Sequence, residues 1–128
     1  MKAVQELVAY FDRRGRLSKK QLRTLLDQGF LAGDAPPTML DLCNSVGASY
    51  YFRVRGDVNG QLWGSDVYTG DSALAPAAVH AGLVQSGEMA VVKVTVVDPP
   101  VQFQGSVKNG VTSHDFGRFG TAYRLSEI

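Results

Sequence analysis

The chain has 128 residues, 45% of them hydrophobic and 20% charged, with a formal net charge of +1. That length and balance describe one domain with a modest core and room for a small appendage. No apolar run approaches the roughly 20 residues that a membrane-spanning helix needs, and the single cysteine, Cys43, excludes an intramolecular disulfide.

The charge is unevenly placed. Residues 1–31 hold seven bases (Lys2, Arg13, Arg14, Arg16, Lys19, Lys20, Arg23) against three acids (Glu6, Asp12, Asp27), so a basic N-terminal stretch precedes a slightly acidic body. The opening MKAVQELVAYFDRRGR has a broken apolar run and no small-residue cleavage pattern, unlike a secretory leader. With the lone cysteine, this predicts a cytoplasmic protein, or an extracellular one if the sequence is a fragment of a secreted protein.

In chain order, Val4, Leu7, Val8 and Phe11 form one apolar helical stripe that Gly15 closes. Ser18 with Gln21 has the form of a capping box, and Leu22, Leu25 and Leu26 continue a second stripe up to Gly29. The expectation is a helical hairpin over residues 1–37, linked through Gly33-Asp34-Ala35-Pro36-Pro37 to a body over 38–128. Thr38 is placed to cap a third short helix running to Asn44, with Met39, Leu40, Leu42 and Cys43 mostly turned inward.

Tyr50 to Arg55 alternates as a strand does, Asn59-Gly60 supplies a turn, and Gln61-Leu62-Trp63 resumes, so 50–63 reads as a hairpin. A helix of small apolar residues follows, beginning between Ser72 and Ala75 because Pro76 is tolerated only in a first turn. The plainest strand is Met89–Val97, with Val92, Val94 and Val96 on one face and Asp98-Pro99-Pro100 ending it. A short strand over 101–104 and further short strands broken by glycines lead to Tyr123-Arg124-Leu125.

Three blocks carry a family resemblance. Gly60-Gln61-Leu62-Trp63-Gly64-Ser65-Asp66-Val67-Tyr68-Thr69 is followed by Asp71-Ser72 and Ala77-Ala78-Val79-His80-Ala81-Gly82. Gly105-Ser106 then comes with Asn109-Gly110-Val111-Thr112-Ser113 and Phe116-Gly117. In this order and spacing, residues 60–124 resemble the LCCL domain, a small module found mainly in secreted proteins. The resemblance implies an α+β fold in which a central short helix is wrapped by irregular antiparallel β-sheets. It also implies four cysteines in two disulfides, and here the sequence departs: Ala75, followed by Pro76, stands where the family has a cysteine before its Ala-Ala pair, and Cys43 lies outside the matching blocks. Packing must replace what a bridge contributes, about 2–4 kcal/mol.

Candidate ligand-binding residues are Trp63, Tyr68, Asp71, His80, Ser106, Asn109 and Ser113. Aromatic faces beside amides and hydroxyls are what a sugar ring needs, and glycan-type ligands are implied by the resemblance. Each residue also has a structural role open to it. His80 is either an acid–base group beside Asp66 or Asp71, or a buried histidine tying the helix to wrapping loops. Asp71 or Ser72 is either an oxygen ligand or a helix cap. No metal site is expected, since no second His or Cys stands at ligand spacing, and the sequence has neither a nucleophile elbow nor a phosphate loop that would call for a cofactor. The reading is a non-enzymatic binding module for a polysaccharide, lipopolysaccharide-type or protein ligand. The alternative is a protein–protein scaffold docking through the basic hairpin; nucleic acid is an unlikely partner, since charged turns are usually solvated faces.

Overall fold

The computed structural model describes residues 33–127; the expected helical hairpin lies outside them. The elements are β1 (Gly33–Asp34), β2 (Ser49–Arg55), β3 (Gly64–Ser65), β4 (Val67–Thr69), α1 (Leu74–His80), β5 (Met89–Val97), β6 (Val107–Lys108), β7 (Val111–Thr112) and β8 (Ala122–Ser126). Six strands form one sheet in the order β1-β2-β5-β8-β4-β3, and β6 and β7 form a separate hairpin. Among the described strands only the β1–β2 pairing is parallel. One short helix with two sheets makes the described body α+β.

The valine alternation of β5 sets the core. Val92, Val94 and Val96 are buried, and register places Phe52 opposite Val92, Leu125 opposite Val94 and Tyr123 opposite Val96. Removing a side chain of this kind from water contributes roughly 1.5–3 kcal/mol. Helix α1 lies between this sheet and the small hairpin, touching β2 and β7. Six of its seven residues are buried, all but Ala75, which explains a helix built from alanines: a wider side chain would hold the wrapping backbone away.

The helix ends are satisfied by backbone. Ala73 is the N-cap and makes no side-chain cap bond, so neither Asp71 nor Ser72 caps the helix. Instead Ala73 N–H donates to the Gln61 carbonyl at 2.9 Å and Leu74 N–H to that of Pro37 at 2.9 Å. Pro76 sits in the first turn, where its missing N–H leaves nothing unpaired. At the other end Gly82 has φ +82°, with Gly82 N–H on the Val79 carbonyl and Leu83 N–H on that of Ala78, a Schellman closure.

Four local expectations change. β2 does not pair with Gln61–Trp63; its partner is β5, from Ser49↔Thr95 to Arg55↔Met89. Phe52 and Val54 match the valine face, whereas 61–63 offers only Leu62 to a core and is drawn off to hold the start of α1. Residues 38–44 form turns rather than a helix, with Leu42 N–H on the Met39 carbonyl at 2.9 Å and Met39 N–H on that of Gly70 at 3.1 Å; Met39 and Cys43 are buried as expected, but Leu42 is only half-buried and Leu40 is exposed. The segment 101–104 contributes only a bridge between Phe103 and Phe116, and Gly33–Asp34, expected as linker, forms the edge strand β1.

Candidate functional site

The polar residues singled out from the sequence converge beneath the β6–β7 hairpin. His80 is fully buried at the end of α1. Its Nδ1 lies 2.9 Å from Tyr68 Oη, and its Nε2 lies 3.1 Å from both the carbonyl oxygen and Oγ of Ser106. The proton positions follow from counting donors. Ser65 Oγ donates to the Gln104 carbonyl at 2.9 Å, so across the 2.6 Å contact between the two serines Ser106 Oγ donates to Ser65 Oγ. The Ser106 hydroxyl therefore has no hydrogen left for His80, which puts the ring proton on Nε2 and makes Nδ1 the acceptor of the Tyr68 hydroxyl. Ser113 Oγ accepts from Ser106 N–H at 2.8 Å and donates to the Ser106 carbonyl at 3.2 Å, and Asn109 Nδ2 donates to the His80 carbonyl at 3.1 Å.

The backbone is shaped to close this network. Asn109 and Gly110 both take positive φ (54° and 79°), the signature of a two-residue type I′ turn between β6 and β7. Gly105 admits no side chain, since a Cβ there would stand 2.5 Å from the Ser113 carbonyl oxygen. A second node forms around Ser72, whose Oγ accepts from Trp63 N–H at 3.0 Å and lies 2.7 Å from Thr69 Oγ1. Tyr123 Oη donates to the Ser72 carbonyl at 2.9 Å.

The chemistry of these groups is that of a closed scaffold. Burial pushes the Tyr68 hydroxyl up to about 12, partly offset by a hydrogen bond from the Asp66 backbone. Burial likewise lifts Tyr123 well above the ordinary tyrosine range, and the Cys43 thiol to about 11 despite the neighbouring Thr121 hydroxyl. A thiol so held stays protonated and is a poor nucleophile. Neither Asp66 nor Asp71 hydrogen-bonds His80: Asp66 pairs with Lys108 at 3.6 Å, and Asp71 is half-buried with Oδ1 lacking a partner among the described residues. With His80 sealed from solvent and both ring nitrogens engaged, the His–Asp acid–base arrangement does not form. Among the described residues no group of three or more His, Cys, Asp or Glu side chains is placed to hold a metal.

Of the seven candidates, then, Tyr68, His80 and Ser113 are buried, Trp63, Asp71 and Ser106 are half-buried, and Asn109 is exposed. Trp63 leads to a feature that sequence reasoning missed. Its ring meets Phe116 edge-on at 6.4 Å, and Phe116 meets Phe119 edge-on at 5.9 Å. Phe116 is 42% exposed and Phe119 is half-buried. The trio is braced from below by paired backbone, Trp63 to His114 and Phe116 to the buried Phe103. No described group accepts the indole N–H of Trp63. The only sequence signal was the F-G-R-F spacing at 116–119, in a glycine-broken stretch with no periodicity.

Comparison with known proteins agrees with this geometry. The family model described as the LCCL domain matches residues 41–121. The human "Cysteine-rich secretory protein LCCL domain-containing 2" is 35% identical over 69 residues, covering 52% of this chain and 14% of that protein. The "Transcriptional regulatory protein rxt3" of Schizosaccharomyces pombe (strain 972 / ATCC 24843) is 31% identical over 74 residues, covering 53% of this chain and 21% of that protein. The chain thus spans about a fifth or less of the length of these curated relatives. The matched segment holds the helix, the His80 network and the aromatic trio, and on that match the chain belongs to the LCCL domain family.

Proposed function

We propose that the chain is a non-enzymatic binding module whose ligand face is the accessible aromatic trio Trp63, Phe116 and Phe119, and that the ligand is of the polysaccharide or lipopolysaccharide type. The observation that carries this is an aromatic surface with an indole N–H that no described group accepts, held on paired backbone. Such a face stacks on the apolar side of a sugar ring, and the indole donates to a ring hydroxyl. Ser106 and Asn109 are the accessible polar candidates beyond it, while Tyr68, His80 and Ser113 act from beneath by fixing the loops. LCCL domains are in general binding modules, and the two relatives place this body in proteins of quite different names, as expected of a module that borrows its context.

A glycan and lipopolysaccharide array probed with the wild type, Trp63→Ala and Phe116→Ala tests the reading. Binding that either substitution removes, with the melting transition retained, supports it; a blank array overturns the ligand class. A second reading is a protein–protein scaffold that docks through the basic residues 1–31. The uneven charge favours it, as does kinship with a transcriptional regulatory protein. A monomeric elution profile with no co-purifying protein would count heavily against it.

A further inference from the structure

A second concave surface lies between the edge strand β1, the end of β2 and the start of α1, a cleft of about 500 Å³. That volume is within the roughly 300–1,000 Å³ range of ligand sites. Its apolar wall includes Pro37, Pro76 and the half-exposed Met89, and its charged rim is Arg53, Arg55 and Asp34. Arg53 engages Asp34 through Nε at 3.4 Å, and Arg55 donates through Nη1 to the Gly87 carbonyl at 2.9 Å. Each guanidinium thus keeps further N–H donors with no acceptor among the described residues. The cleft's shape is built in: Gly60, at φ +122°, brings the 57–60 turn so close to the helix start that a Cβ there would meet Ala73 Cβ at 3.0 Å and Pro76 Cγ at 3.1 Å.

We propose that this cleft is a docking site for an acidic peptide segment of a partner protein, one in which a carboxylate side chain neighbours an aliphatic one. The two arginines lie at alternate positions of one strand and so project to one side of it, where they can receive carboxylates with charge-assisted hydrogen bonds. The proline and methionine wall takes the aliphatic side chain. Charge selects against the other occupants. The chain's own residues 1–31 carry an excess of positive charge and mismatch the arginine rim. Single-stranded nucleic acid wants a stacking surface, and among the described residues no aromatic side chain lines the cleft. The site is separate from the aromatic trio, none of whose members lines it.

The test is fluorescence anisotropy with the full chain and a fluorescein-labelled peptide of alternating glutamate and leucine. A lysine-for-glutamate peptide and a single-stranded oligothymidine serve as controls. Binding of the glutamate peptide alone, weakened at least about tenfold in the Arg53→Gln/Arg55→Gln double variant and unchanged in Trp63→Ala, supports the proposal. Met89→Glu, which sets a like charge on the apolar wall, is the second variant should the first fail to fold, and it should weaken binding similarly. The proposal is overturned if the glutamate peptide does not bind, if either control binds equally, if a folded variant of the cleft binds as the wild type does, or if Trp63→Ala removes the interaction.

Discussion

Trp63 and Tyr68 are five positions apart on the same turn of chain, yet their surroundings are opposite. Tyr68 is 1% exposed, its hydroxyl committed to His80 and its ring packed 5.8 Å from Tyr123. Trp63 is half-buried, its ring shared with Phe116 and its N–H accepted by no described group. The difference teaches that polarity is a poor guide to accessibility in this fold. The residues richest in hydrogen-bonding chemistry are consumed holding irregular backbone in place, as a core made largely of short strands requires. The residues free to meet a partner are aromatic ones that look like core.

Substitutions should separate the two regions by stability. His80→Ala is expected to cost most, about 4 kcal/mol in urea denaturation, because it opens a cavity and leaves the Tyr68 hydroxyl and the Ser106 carbonyl short of partners. A loss below about 1 kcal/mol would mean that the network is wetter than its burial implies. Raising the pH should come next. Tyr68 rises from 10.0 to about 12 on folding and Cys43 from 9.0 to about 11, so the folded state holds these protons more tightly than the unfolded one. Their contribution is therefore complete below pH 9 and is lost as pH climbs towards 12, on the order of 2 kcal/mol for each group. Chemical denaturation across that range checks it, and Tyr68→Phe should flatten the decline.

Ser106→Ala sharpens the comparison, since its side chain links Ser65 to His80 while its backbone holds Ser113; about 1–2 kcal/mol is expected in the same assay. Phe116→Ala should have the smallest effect on stability, about 1 kcal/mol or less, for a ring already 42% exposed. A large loss there would reassign the aromatic trio to the core and remove it as a ligand face.

Much of the body was legible because its signals are local. The alternation of Met89–Val97 predicts β5 with the observed bounds, and Pro76 restricts the start of α1 to within a residue or two of Leu74. The family resemblance implies a short helix wrapped by β-sheet, and α1 is so covered where His80 meets Ser106. What was not legible is settled at long range. β2 prefers the distant β5 to its sequence neighbour, and Thr38–Asn44 forms turns that are tied to Gly70 through the Met39 N–H. Ser72 has the chemistry of a cap, but its hydroxyl is engaged by Trp63 and Thr69 while backbone carbonyls satisfy the helix start. Phe116 and Phe119 gave no periodicity to read, since only the fold brings Trp63 beside them.

The strand order has a consequence for how the molecule is made. β8, the last strand in sequence, is not at an edge: it lies between β5 and β4 and pairs with both. Until Ala122–Ser126 has left the ribosome, β1-β2-β5 and β4-β3 are separate pieces, and β5 and β4 each present an open edge. The domain therefore closes late, by insertion of β8, and the nascent chain before that point is at its most exposed to misassembly. Removal of the final strand should leave two fragments of a sheet rather than a shortened domain.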